Sequence, residues 1–244
     1  MTRVASAALV ARVVEVGESD LIATLITESC GKVSASVRGG RRSSRRAGGS
    51  LEPFHTIEID LEDRGGELMV LRESRIVRVR ARLAASLGGL ESAGLALRWA
   101  RHLFPPRVPE PDGWGALLDL LDALDVDDAH SRQELARAGL RILAAVGYGL
   151  DFERCVSCGR SCPDGKAAAV DPTRGGLVCS SCGSARTFLT AGSRRAARAL
   201  AEGRTGDVTL GDADSVLALV ADAMAFHAGF EGPQVLGYAP RPPR

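Results

Sequence analysis

Four cysteines stand in two matched pairs, Cys155-Val-Ser-Cys158-Gly159 and Cys179-Ser-Ser-Cys182-Gly183, with twenty residues between the pairs. Two sulfurs three positions apart, repeated once at this separation, form the spacing of a tetrahedral thiolate zinc site of the ribbon type. Each CxxC closes a tight knuckle, and a glycine after the second cysteine of both supplies the positive φ that such a turn favours. A zinc ion held by Cys155, Cys158, Cys179 and Cys182 would have no open position for water, so it would stabilise the fold and not catalyse. Arg154, Arg160, Lys166, Arg174 and Arg186 surround the pairs and offset the formal charge of about −2 on a four-thiolate zinc.

Three other readings of these thiols compete with a zinc site. Disulfides would suit a secreted chain, but the first eleven residues lack an extended apolar stretch with a cleavage site, and no apolar run of ~18 residues follows. The expectation is a soluble cytoplasmic protein with reduced thiols. A redox CxxC would need one active pair near a βαβ pattern, whereas there are two pairs and no such pattern. A degenerate site that has lost its metal is the third. Cys162 is either a spare thiol beside the site or a substitute for Cys158, and the symmetry of the knuckles favours the first. Cys30 reads as a small buried hydrophobe.

The second constellation is cationic. From Lys32 to Arg46 the chain carries Lys32, Arg38, Arg41, Arg42, Arg45 and Arg46 and no acid, the five arginines lying in the loop Arg38-Gly-Gly-Arg-Arg-Ser-Ser-Arg-Arg-Ala-Gly-Gly49. Guanidiniums attract phosphates without regard to sequence, and the glycines leave backbone N–H groups for the same purpose. The net charge of +1 over 244 residues hides a strong asymmetry. Five arginines between Arg72 and Arg82 face only Glu73, and seven acids between Glu110 and Asp128 meet no base. This polarity suggests one surface for polyanions and another that meets a basic partner.

These groups need a scaffold. Short β-branched runs at 8–16, 21–27, 32–37, 55–61 and 68–77, separated by turn residues, read as five strands, with clean alternation in His55-Thr-Ile-Glu-Ile-Asp-Leu61. Five short strands in about 75 residues fit an OB-fold barrel, with an SH3-like barrel as the alternative. Beyond Ala84 the pattern becomes helical. One helix carries Leu87, Leu90, Leu97 and Phe104 up to Pro105-Pro106, and a second covers 117–124. A third opens on the capping box Ser131-Arg-Gln-Glu134, and two more cover 193–202 and 215–227. A ribbon through 167–170 and 176–178 frames the cysteines. The expected fold is α+β and multidomain. An OB-fold nucleic-acid-binding barrel spans 1–82, and a helical body spans 83–153 and 187–244 with the tail. A four-cysteine zinc-ribbon-like module at 154–186 is inserted in that body. Phe54 is expected to pack in the barrel, Trp99 and Trp114 between helices.

No Walker loop, HExxH or paired catalytic carboxylates is present and the four histidines are scattered, so no enzymatic activity is expected. A zinc-ribbon, OB-containing factor of transcription or translation that binds RNA or a polymerase is the competing class.

In this order the pieces resemble the RecO family of bacterial DNA-repair proteins. Ala8 to Gly17 with Ser19-Asp20-Leu21-Ile22 and Thr27-Glu-Ser-Cys-Gly31-Lys32 is similar to that family's opening strands. Arg38-Gly39-Gly40-Arg41-Arg42 with Leu51-Glu-Pro53-Phe54 is similar to its basic loop. Gly147-Tyr-Gly-Leu150 leading into Cys155 is similar to its helix-to-zinc junction. The likeness covers about residues 8–230. After the last helix it lapses, because Phe226-His-Ala-Gly-Phe-Glu-Gly-Pro-Gln234 replaces a basic segment. The resemblance implies a nucleoid-associated recombination mediator that binds single- and double-stranded DNA and anneals complementary strands. It implies RecR and the acidic tail of the single-stranded-DNA-binding protein (SSB) as partners, RecA indirectly, and no membrane.

Overall fold

The alternation in the N-terminal strands is resolved by burial. In β3 (Gly31–Val37) Val33, Ala35 and Val37 are buried while Lys32, Ser34 and Ser36 are half-exposed, so one face fills a core and the other meets its surroundings. β1 (Thr2–Val16), β2 (Asp20–Thr27), β3, β4 (Thr56–Asp63) and β5 (Leu68–Arg78) close into a barrel in the order β1-β2-β3-β5-β4. All neighbours are antiparallel except β3 and β5, whose parallel pairing of Ser34 with Leu68 is the Greek-key crossing of the OB-fold and sets aside the SH3-like alternative. The interior holds Ala8, Val10, Leu25, Val33, Ile57, Leu61 and Met69. The described residues are 2–40, 50–185 and 187–229 of this computed structural model.

The helical body consists of α1 (Ala81–Ala84), α2 (Leu87–Leu103), α3 (Pro111–Val126), α4 (Ser131–Ala145), α5 (Ala191–Ala201) and α6 (Leu210–His227). α4 is central, packing on α2, α3, α5 and α6. Trp99, Leu117, Leu121, Leu143 and Val220 are fully or almost fully buried there, each large apolar side chain contributing ~1.5–3 kcal/mol. Tyr148, just past α4, stacks on His227 with ring centroids 3.9 Å apart, which ties the approach to the cysteines to the end of α6. No helix among the described residues is long and apolar enough to cross a membrane.

Several local expectations need correction. The box Ser131–Glu134 does not cap α4: a tight turn from Asp128 makes His130 the N-cap, without a side-chain cap, and Glu134 pairs with Arg137 instead. Phe54 packs against the helical core and not inside the barrel. α3 begins at Pro111, well before 117, with the proline preset for the first helical turn. β8 (Thr187–Leu189) adds a third strand beside β6 (Ala168–Asp171) and β7 (Gly176–Val178).

Barrel and body are joined through charge. Arg80 is completely buried, and its guanidinium donates to Phe54 O (2.8 Å), Thr56 Oγ1 (3.0 Å) and Asp122 Oδ1 (2.7 Å). The clustered arginines and clustered acids of the sequence thus meet each other. Arg78 also reaches Asp122 at 2.9 Å, the Arg82 amide donates to Asp125, and Arg141 pairs with Asp119. The basic partner expected for the acidic stretch is, for these acids, the chain itself. Arg72 and Arg75 are likewise paired, with Glu62 and Glu58.

Gly31 sets the other seam. Its φ is +66°, and a Cβ there would lie 1.9 Å from Val108 O, so only glycine lets the 106–108 segment run beside β3. That seam is closed by Arg107 N–H donating to Lys32 O at 2.9 Å.

Candidate metal centre and nucleic-acid face

The cysteine module is held on the helical core from beneath. Phe152, Val170, Leu177 and Leu189 all belong to the cluster that contains the helix residues, so the three-stranded sheet and the first knuckle share one apolar floor. Gly176 (φ +143°) brings β7 against Asp151, where a Cβ would lie 2.3 Å from the Asp151 carbonyl oxygen; Leu177 N–H donates to that oxygen at 3.0 Å. The two knuckles are thereby brought face to face. Gly159 and Gly183, the glycines after each pair, have φ of +71° and +133°.

The four sulfurs of Cys155, Cys158, Cys179 and Cys182 lie within 4.8 Å of one another, and Cys158 Sγ is 3.7 Å from Cys179 Sγ. A tetrahedron of thiolates ~2.3 Å from a central ion has edges of about 3.8 Å, so the cluster has the dimensions to hold a metal and is compatible with zinc. All six cysteines are free thiols. The Cys155 thiol is pulled down to about 6, first by the Cys179 amide that donates to its sulfur at 3.4 Å and then by the Ser157 amide. Cys179 is lowered as well, chiefly by the Cys182 thiol, whereas Cys182 is pushed up to about 12 by Cys179 and Cys158. A set that ionises readily at first and resists the last proton loss is one that a divalent cation would complete.

Cys162 is outside the sulfur cluster: it is half-buried against the helical core, and its amide donates to Glu153 O at 2.8 Å. Of the cations expected around the site, Arg160 reaches Ser181 (3.4 Å) and Arg174 reaches Ser157, each bridging to a serine inside a knuckle. Arg186 lies outside the described residues.

Sequence reasoning missed Arg194. This α5 side chain is only 3% exposed and donates to four main-chain carbonyls of the loop that carries the first knuckle. The acceptors are Phe152 O (2.8 Å), Cys162 O (2.7 Å), Pro163 O (2.7 Å) and Lys166 O (3.3 Å). Its flanks, Ser193-Arg194-Arg195, give no signal of burial, because only the approach of α5 to the loop buries it.

The candidate DNA-binding residues divide. Lys32 is the second residue of β3 and Arg38 follows its end, so six residue steps along the strand, roughly 20 Å, separate them. Between them Ser34 and Ser36 share the outer face, giving a polar lane along the barrel. The Lys32 ammonium donates to Arg101 O at 2.8 Å, and burial followed by the Arg101 charge lowers its pKa. Asp20 anchors the start of the basic loop: Gly39 N–H donates to its carboxylate at 2.8 Å, which, with Ser19, holds that carboxyl below its ordinary value. The Gly39 and Gly40 amides, expected to be available for phosphates, are therefore bound internally, Gly40 to Val37 O. Arg41, Arg42, Arg45 and Arg46 lie outside the described residues.

A groove of about 460 Å³ lies elsewhere, among α2, α4 and α6, with Leu90, Leu95, Trp99, Leu135 and Leu217 in its walls and Arg98 and Arg132 also lining it. The buried Trp99 indole N–H has no partner among the described residues.

Two family models match the chain, "Recombination protein O N terminal" over residues 1–80 and "Recombination protein O C terminal" over residues 90–217. The chain is 37% identical over 208 residues to a "DNA repair protein RecO" of Anaeromyxobacter sp. (strain K), covering 83% of this chain and 81% of the relative. It is 34% identical over 217 residues to the protein of that name from Geobacter sulfurreducens, covering 86% and 88%.

Proposed function

The chain belongs to the RecO family of DNA repair proteins, and from that membership we propose that it is a recombination mediator acting by binding and not by catalysis. In this reading it binds single- and double-stranded DNA, anneals complementary strands and assists RecA loading onto SSB-coated single strands. The observation that carries it is an OB barrel whose outer β3 face joins Lys32 to Arg38 through two serines, with four further arginines following in the sequence. Cations along such a face neutralise phosphates of two strands at once and reduce the repulsion that slows annealing. With Phe54 committed to packing, stacking on bases is weak and binding is salt-sensitive with little base preference.

The four cysteines hold one structural zinc, supported by the donor set and the sulfur spacing. Its role is to staple the second half of the body, and the basic loop does the work on DNA. For the partners, an apolar groove lined also by Arg98, Arg132 and Glu91 supports docking of a short apolar peptide with acidic groups, the chemistry of the SSB tail; Arg132 already pairs with Asp214. RecR is proposed on family membership alone. The division by residues is 1–82 for DNA, 83–153 and 187–244 for the helical body, and 154–186 for the metal.

The test is annealing of complementary DNA strands by the full chain with structured RNA as competitor. Acceleration that resists the RNA supports the mediator. No acceleration, with preferential binding of the RNA, would assign the chain to an RNA- or polymerase-binding class.

A further inference from the structure

The C-terminal end of α2 gathers positive charge. Arg98, Arg101 and His102 share one face at i, i+3 and i+4. Across the seam lies Lys32, whose ammonium bonds the Arg101 carbonyl. Arg12 completes the group. Between Val10 and Arg12 the β1 register shifts, so Arg12 pairs with Thr24, and Thr24 in turn pairs with Ser34 on the outer lane of β3. A cleft of about 240 Å³ opens here, with Thr24, Lys32, Ser34, Arg101 and Arg107 in its walls and the Glu67 carboxylate also present. Arg107 is already paired with Asp63 at 2.8 Å.

A helix C-terminus carries about half a negative charge and accommodates one cation, not four. Burial and then mutual repulsion lower Arg101, through Arg12 and Arg98, and lower His102, through Arg101, Lys32, Arg98 and Arg12. The His102 Nε2 lies 2.9 Å from Arg101 Nη2. The buried Arg101 Nε–H has no partner among the described residues. A buried donor left unpaired is destabilising, more so on a charged group, unless a ligand supplies the acceptor. Hydroxyls of Thr24 and Ser34 beside two cations make the cleft suited to a phosphodiester oxygen.

We propose that this seam, with Arg12 and Arg101 as its principal cations and Lys32 beside them, is a second phosphate-binding patch of the chain. A strand held at the basic loop runs along the β3 lane, over roughly 20 Å, to reach it. The helical body then contributes directly to DNA binding, and a strand lies across both parts of the chain. The patch rests on the DNA-binding reading above.

The experiment measures the salt dependence of affinity for a long single strand with the full chain and with Arg12→Ala/Arg101→Ala. Each phosphate that is no longer neutralised lowers the slope of log affinity against log salt by ~0.7, so the double variant falls by about 1.4. Arg12→Lys/Arg101→Lys restores most of the slope, because charge and not fork geometry is required. The melting temperature of the alanine variant stays level or rises, because two mutually repelling cations are removed; a structural role would lower it. An unchanged slope in a chain that binds DNA would overturn the patch and leave the wider reading intact. Absence of DNA binding in the unaltered chain would overturn both. Loss of a glutamate-rich peptide with the DNA slope unchanged would overturn it in favour of a protein partner.

Discussion

Arg194→Met keeps the volume of a buried side chain while deleting every donor it offers to the cysteine loop. The native guanidinium is 3% exposed and makes three hydrogen bonds of 2.7–2.8 Å and a fourth of 3.3 Å, all to main-chain carbonyls between Phe152 and Lys166. Charge-assisted bonds contribute ~1.5–3 kcal/mol each in isolation. Part of that returns when the freed carbonyls take up water, so the loss is set nearer the ~3–5 kcal/mol seen when one side of a buried charged network is removed. In a chain of this length that corresponds to a fall in melting temperature of roughly 6–20 °C. The same loop carries Cys155 and Cys158, so metal loss to a chelator is expected to accelerate together with the fall. Arg194→Lys supplies a point charge without the fork and restores less than half of the stability. A loss below about 1 kcal/mol, with chelator release unchanged, would refute the assignment of Arg194 as the clamp of the cysteine loop.

Four further outcomes are expected. Gly31→Ala forces a Cβ to within 1.9 Å of Val108 O in a left-handed backbone, and is expected to destabilise by about 3 kcal/mol or more, from ~1–2 for the backbone and ~1 per broken seam bond, read by urea unfolding. Cys158→Ser or Cys179→Ser is expected to lower metal content measured by elemental analysis and to reduce solubility, with DNA affinity changed only indirectly. Replacing Arg41, Arg42, Arg45 and Arg46 by Ala is expected to flatten the salt slope of DNA binding by up to ~3 while the circular dichroism spectrum is retained. Glu62 accepts from Arg64 (2.7 Å) and Arg72 (2.6 Å), which hold its carboxyl below the ordinary value. Because the folded value is depressed, this contribution is fully present above the unfolded glutamate value and is lost as pH falls through the folded one. Glu62→Gln should therefore remove part of the acid sensitivity of unfolding below about pH 4.

The barrel strands were legible because one buried face and one open face impose a period of two, as in Thr56 to Leu61. The first residues of β1 were not, because Thr2 to Ala7 are ordered by pairing with β4 and carry no alternation of their own. β8 has three residues and no pattern. The cysteine cluster was legible down to its four converging sulfurs, since local spacing fixes which of them meet. The destination of the charge clusters was not. Arg80 and Asp122 are 42 positions apart, and only docking of α3 against the barrel shows that they neutralise each other. The same holds for the positive seam, where Arg12 joins Arg101 through a register shift in β1 that no residue type announces.

On this reading the chain divides its work between a metal that stabilises and arginines that bind DNA. The most direct measurement is the rate of annealing of complementary strands by three samples: the chain as purified, the chain after metal extraction under conditions where the barrel stays folded, and the Arg41/Arg42/Arg45/Arg46→Ala variant. The prediction is that the first two anneal at similar rates and the third is slow. Annealing that vanishes on metal extraction yet survives loss of the four arginines would contradict it.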